Sequence, residues 1–456
     1  MLVRLRKSIL APAIVFSLLT LFTVQGFSSG FQLREQSPSY QGNAFAGVTA
    51  GGYDISSMYF NPATMGLFSG NQIAAGFSFV QPVAVFSNGT ATRFNPAFGS
   101  ISGPNSHPDA GHDVPLPAMY AMYSVSDKFK FGISLNVPFG MGTEYKSDFI
   151  GRYHALKSDL MTIDMATNVA YRLTSDWSVG AALIARKAKA ELTNAVDFAT
   201  IILANPLIPA AAKAGITPGS LDGTAALEGG KWAMGYKLGT TYQAKKFRIG
   251  LAYHAAMKAT LEGTIDYKSV PSILASSFKN GDATAEMSLP YTVSTGFNYD
   301  VTGKFSIQGE LARTGWNTFK ELRVKFKTGQ ADVVTEENWK DTWFYSAGFT
   351  FKPTQAWSVR AGAAFDQSAV DNSNRTPRIP DADRTWISGG ASYAISKAFS
   401  IDMAFTHIFV KDSILALKAI PDGTTAATSN NTFRGNLNGD FQNHINILAL
   451  QARYSF

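Results

Sequence analysis

Cysteine is absent from the 456 residues, so disulfides, thiolate metal sites and cysteine nucleophiles are all excluded. Charge is scarce as well: Asp, Glu, Lys and Arg make up 16%, against about 25% in ordinary soluble chains. Beyond the N-terminus no segment approaches the ~18 consecutive apolar residues that a membrane helix needs. Nucleophile elbows, phosphate-binding loops and zinc motifs are missing too. No Ser–His arrangement of a lipid hydrolase can be assembled, so the chain is expected to be neither an enzyme nor the holder of a cofactor. The net charge of +7 includes Arg4, Arg6 and Lys7. Without those three cations it falls to +4, too weak and too evenly spread to point to nucleic acid.

What is present is apolar content of 45% without long runs, which suits short strands with one apolar face. The exception is the start. Residues 1–28 have the three parts of a secretory signal: the basic Arg4, Arg6 and Lys7, an apolar core from Ile9 to about Val24, and small residues at Gly26 and Ser28 where cleavage would fall. The protein is therefore expected to leave the cytoplasm.

From residue 71 to 456 one pattern recurs, apolar residues at every second position for about ten residues and then a polar turn. Ile163, Met165, Val169, Tyr171 and Leu173 share one face, while Thr162, Asp164, Ala166, Asn168 and Arg172 occupy the other. Trp177, Val179 and Ala181 start the next strand after a Thr-Ser-Asp turn, and Phe247, Ile249, Leu251 and Tyr253 repeat the scheme. Tyr171, Trp177, Tyr242, Phe247, Trp357 and Phe399 sit at strand ends, where a transmembrane barrel carries its interfacial aromatics. Leu448, Leu450, Ala452, Tyr454 and Phe456 alternate to the last residue, resembling the terminal strand read by outer-membrane assembly machinery. The fold class expected is all-β: a transmembrane antiparallel β-barrel of a dozen or more strands, set in outer-membrane lipid. Residues 29–70 do not follow the pattern. They are rich in Gly, Ser and Ala, as either a plug inside the barrel or a periplasmic extension would be.

Several segments resemble the outer-membrane long-chain fatty acid transporters, a family that also contains aromatic-hydrocarbon channels. They are Gly30-Phe31-Gln32-Leu33, Asn61-Pro62-Ala63, Trp339-Lys340-Asp341, Arg360-Ala361-Gly362 with Phe365-Asp366, and Ile379-Pro380-Asp381-Ala382-Asp383-Arg384-Thr385-Trp386. The resemblance implies fourteen strands and a hatch within the lumen over 29–70, carrying the motif Asn61, Pro62 and Ala63. It also implies uptake of hydrophobic molecules, long-chain fatty acids first and neutral hydrocarbons as the alternative. Ligand would bind among the external loops, pass to an inner pocket near Phe31, and leave by a lateral opening at a strand kink. A general porin or a structural barrel is the reading from a different class.

Two features bear on the ligand. The stretch from Phe198 to Ile216 is unusually apolar for an external loop, and Ile201, Ile202, Leu203, Leu207 and Ile208 are the candidates for the outer binding surface. Fatty-acid members of the family hold the carboxylate with basic side chains, but the matching positions are Asn194 and Thr335. Lys187, Lys189 and Arg323 are the candidates to supply the charge instead. His107, Asp109, His112 and Asp113 lie in a Gly/Pro/Asn-rich loop without fixed metal geometry. Asp381, Asp383 and Arg384 are expected to form a hydrogen-bonded loop or strand cap.

Overall fold

The computed structural model describes residues 30–421, 424–425 and 431–456; the expected export signal, residues 1–28, lies outside them. Twenty β-segments form one antiparallel sheet that closes on itself. Eight staves are unbroken: β1 (Gln72–Thr92), β2 (Val114–Ser124), β5 (Lys157–Arg172), β6 (Trp177–Asp197), β7 (Asp222–Gln243), β16 (Trp357–Asp366), β17 (Arg384–Ala394) and β20 (Asn436–Ser455). Each of the others is two segments in line. These are β3 (Phe129–Asn136) with β4 (Gly140–Glu144), β8 (Phe247–His254) with β9 (Met257–Lys268), and β10 (Gly281–Leu289) with β11 (Thr292–Asp300). The rest are β12 (Phe305–Thr314) with β13 (Glu321–Phe326), β14 (Val333–Glu336) with β15 (Thr342–Phe351), and β18 (Phe399–Val410) with β19 (Ser413–Leu417). The staves number fourteen.

Closure is made by the last strand. β20 pairs with β1 along nearly its whole length, from Gln72 opposite Ser455 to Thr92 opposite Asn436, and with β18 on its other edge. Without closure two edges of unpaired N–H and C=O groups would face hydrocarbon, which no water could satisfy.

The wall is inverted relative to a soluble protein. Leu183, Trp232, Met234, Phe405 and Phe409 are exposed, whereas Asp164, Arg186, Lys237 and Glu310 are buried. On β5 the strict alternation runs as the sequence predicts, with Asp164, Ala166 and Asn168 turned in and Met165 and Tyr171 turned out. An apolar outside and a polar inside are stable only when the outside solvent is lipid. Leu448, Leu450, Tyr454 and Phe456 continue the outer face to the C-terminus.

Residues 30–67 fill the lumen and are almost wholly buried, so they are not an extension into solvent. Short helical turns at Pro38–Gln41, Ile55–Tyr59 and Pro62–Leu67 are tied to the wall by polar groups. Lys237 donates to Tyr59 O (2.8 Å), Arg248 to Gly51 O (2.8 Å) and Ser346 to Ala44 O (2.6 Å). Glu310 accepts from Thr49 through both its backbone and its hydroxyl. Water-filled barrels line such positions with solvated charge; here the internal segment takes up those bonds.

The Asn61-Pro62-Ala63 motif explains itself locally. Asn61 caps the turn by accepting from Ala63 N (3.0 Å) and donates to Thr49 O (2.8 Å) and Thr240 O (3.1 Å). Pro62 suits the first position of a helical turn, where no N–H is required. The wall opposite is bare: Gly180 and Gly239 face each other across β6 and β7. A Cβ on Gly239 would stand 1.9 Å from the Asn61 amide oxygen, and one on Gly180 2.4 Å from Ala63 N. Gly239→Val is therefore expected to dislodge the motif while the barrel still forms. Heat-modified mobility on gels should stay that of a folded barrel, while protease should gain access to the internal segment.

Candidate functional site

One of the interrupted staves leaves a gap in the wall. β2 pairs with β3 only from Met119 to Ser124, and its residues 114–118 pair with β1 alone. Val137, Pro138 and Phe139 break the stave, and Pro138 brings no N–H to a ladder. β4 then pairs with β5, leaving a gap between β2 and β4 that one bridge, Gly111 with Thr143, closes above.

The start of the internal segment occupies the place of the missing partner. Leu33 N donates to Pro138 O (2.8 Å), and Gly140 N donates to Phe31 O (3.0 Å). Gln36 donates to Val137 O (2.7 Å) and accepts from Val137 N (3.1 Å), and Gln32 bridges Phe139. Buried backbone groups freed by the break must find partners, and here residues 31–36 provide them. The wall at this point is closed by the plug rather than by the barrel.

Phe31 lies in an aromatic cage. Its ring stands 4.8 Å from Trp316, 5.4 Å from Trp339, and 5.9 Å from both Phe139 and Phe319. Gly30 has φ +63°, and a Cβ there would meet the Trp339 ring at 2.3 Å. Its N–H donates to Asp381 (3.0 Å), which also pairs with Arg384 and accepts from Ser368 (2.9 Å). Asp383 accepts from Ser368 N (2.9 Å), so Asp381, Asp383 and Arg384 form the hydrogen-bonded loop expected of them, and it anchors the first residues of the plug.

Two cavities meet beside this cage. The inner one, about 60 Å³, is bounded by Phe31, Met141, Leu160, Met287 and Phe319. The outer one, about 250 Å³, is bounded by Ile201, Ile265, Phe278, Val324, Phe433 and neighbouring side chains. Leu192, Leu227, Leu322, Glu337 and Arg378 line both, so they form the throat between them.

The polar groups of this site come from loops. Arg378 donates to Lys157 O (3.0 Å), Ser158 Oγ (3.0 Å), Thr193 O (3.1 Å) and Asn194 Oδ1 (3.4 Å). Arg434 donates to Thr335 Oγ1 (3.1 Å) and Asn431 Oδ1 (3.4 Å). All these acceptors are neutral. Burial pulls the Arg378 guanidinium down to about 9, with Arg434 nearby adding to the effect. Burial pushes Glu337 up to about 8 against the hydrogen bond from Trp339 Nε1 (2.9 Å) and the field of both arginines. Two cations facing neutral oxygens in an apolar setting are costly unless an anion joins them.

The residues singled out from sequence divide clearly. Phe31 lines the inner cavity and Ile201 the outer. Ile202 and Ile208 are buried in a loop core with Phe198 and Leu274, Leu203 is half-buried, and Leu207 is 88% exposed. The structure does not bring Lys187, Lys189 or Arg323 to either cavity. Lys187 stands on the outer face near Trp232, Lys189 pairs with Glu228, and Arg323 pairs with Glu321 and Asp332. The physical reason is strand parity: each follows the residue that faces in, Arg186, Ala188 and Leu322 respectively. Neutralising all three should leave ligand affinity within about twofold, since solvent-screened pairs contribute little; a titration of the triple variant checks it. Asn194 and Thr335 do line the outer cavity, and they hold the two arginines that sequence reasoning missed.

A closed barrel with a polar lumen, an internal plug and an apolar passage leading to a gap in the wall defines an outer-membrane transport barrel. The comparisons agree. The family described as outer membrane protein transport protein (OMPP1/FadL/TodX) matches residues 19–456. The long-chain fatty acid transport protein of Escherichia coli O6:H1 is 30% identical over 421 residues, covering 88% of this chain and 90% of the relative. Among solved structures, a Pseudomonas aeruginosa FadL homologue superposes with a TM-score of 0.83 at 22% identity, covering 94% of this chain and all of that one. The Ralstonia pickettii toluene transporter TbuX gives 0.62 at 20%, covering 95% and 100%. These two structures speak to the fold. The chain belongs to the OMPP1/FadL/TodX family of outer-membrane transport proteins.

Proposed function

We propose that this protein takes up long-chain fatty acids across the outer membrane by binding alone, without a catalytic step. The observation that carries the reading is the pair Arg378 and Arg434 beside a throat whose remaining lining, Glu337 apart, is leucine. An alkyl tail gains about 0.8 kcal/mol for each buried CH2, and a carboxylate supplies the anion that two guanidinium groups lack. Ligand enters at the outer cavity, where Ile201 belongs to the wall, and moves to the inner cavity against Phe31. Displacement of residues 31–36 then leaves the gap between β2 and β4 open toward the bilayer. On this reading residues 29–70 act as the hatch, Asn61-Pro62-Ala63 is its fixed base, and Phe31 is its moving end. The terminal strand ending in Phe456 is the part presented to the assembly machinery.

A second reading, a channel for neutral hydrocarbons, has the apolar inner cavity in its favour. Labelled oleate and labelled toluene, each given to a strain lacking its own fatty acid uptake but carrying this gene, separate the two. Oleate accumulation above the empty-vector strain supports the first; toluene accumulation alone supports the second. A porin reading requires passage of small sugars, which the filled lumen opposes.

A further inference from the structure

The throat contains one acid that transport as described above does not use. Glu337 follows β14, is 6% exposed, and faces both cavities at the same point as Arg378. Its carboxylate accepts from the Trp339 indole N–H (2.9 Å), and its backbone N–H donates to Lys320 O (2.9 Å), so its position is fixed from two sides. The charged groups that face it are Arg378, from the loop after β16, and Arg434, from the loop before β20. Neither is within ion-pair distance, since among the described residues their donors go to neutral oxygens. Trp339 in turn lies against Phe31, at 5.4 Å between ring centres.

We propose that Glu337 makes capture of an anionic headgroup proton-linked: the headgroup settles between Arg378 and Arg434 only while Glu337 is neutral. This rests on the fatty-acid reading of the site. Two anions within one desolvated throat repel each other strongly, because low dielectric magnifies their interaction. An ionised Glu337 would also satisfy the arginines and remove their demand for a ligand anion. Burial supports the neutral form by pushing the carboxyl up to about 8, so the acid holds its proton at neutral pH and loses it in mild alkali. The sign follows: affinity for an anionic amphiphile is full below about pH 7 and falls as pH rises through about 8. A neutral amphiphile of equal length shows no such slope. The bond to Trp339 gives the same step a second reporter, as the indole's acceptor changes from a neutral acid to an anion.

The test uses the refolded full barrel with decanesulfonate, whose headgroup stays anionic at every pH used, and with decanol. Between about pH 6 and about pH 9.5 the wild type should lose roughly tenfold in decanesulfonate affinity, one pKa unit of coupling or more. Decanol affinity should stay level. Glu337→Gln keeps an acceptor for Trp339 and should hold the tight value through about pH 8, falling only where the Arg378 guanidinium loses its proton at about 9, while Trp339 fluorescence loses its transition near pH 8. An equal slope in wild type and E337Q, or no slope in wild type, would overturn the proposal. Failure of decanesulfonate to bind at any pH, with decanol still bound, would instead remove the anion-binding reading on which the proposal rests, and the proposal with it.

Discussion

Replacing Arg378 and Arg434 together by glutamine should abolish saturable fatty acid binding while the barrel still folds. Each guanidinium offers charge-assisted hydrogen bonds in a desolvated throat, worth about 1.5–3 kcal/mol apiece. Loss of one therefore costs roughly 10- to 100-fold in affinity for a carboxylate. Loss of both leaves a carboxylate buried without a partner, and such an ion is excluded rather than weakly held. Decanol affinity should change little, because the leucines that line both cavities, Leu192, Leu227 and Leu322, are untouched. The contrast between the two ligands is the check. Arg378 also bridges β5 and β6 through Lys157 O and Thr193 O, so R434Q alone provides a variant with fewer structural bonds to lose.

Tying the plug to the broken stave should stop transport without affecting ligand capture. Gln32 and Phe139 are bridged as antiparallel partners, a pairing whose close Cα spacing suits a disulfide. The chain has no cysteine of its own, so Gln32→Cys with Phe139→Cys creates a single possible bond. In the oxidised form residues 31–36 cannot leave the gap between β2 and β4. Oleate uptake should fall to the empty-vector level and return on reduction, while oleate binding to the outer cavity persists in both states. The single variants Gln32→Cys and Phe139→Cys control for loss of the side chains. Uptake that is equal in oxidised and reduced protein would mean that ligand leaves by another route.

Much of the wall was legible because a strand's period of two is unambiguous when one face meets lipid. Trp177, Val179, Ala181 and Leu183 fix the parity of β6, and the same count places Lys187 and Lys189 outside. That parity is present in the sequence and by itself keeps Lys187 and Lys189 out of the lumen. The internal segment was not legible in the same way. Gly42, Gly47, Gly51 and Gly52 give no period, so composition alone could not separate plug from extension; position is set by contacts such as Lys237 with Tyr59 and Arg248 with Gly51. The candidate anion-binding site was hidden for another reason. Glu337, Arg378 and Arg434 lie on three loops, and only barrel closure brings them together. The nearest clue was the Ile379–Trp386 match, which begins one residue after Arg378. The break at Val137-Pro138-Phe139 was readable only as a proline in a strand, which commonly marks an edge; its partner is the plug.

The most direct measurement of the central claim is equilibrium binding of decanoate, decanol and toluene to the refolded wild-type barrel at neutral pH. A carboxylate-selective throat predicts saturable binding of decanoate at least about tenfold tighter than decanol, one charge-assisted bond or more, with toluene weaker than both. Tight binding of toluene or decanol with no saturable decanoate binding would contradict it, and would make this chain a conduit for neutral hydrocarbons.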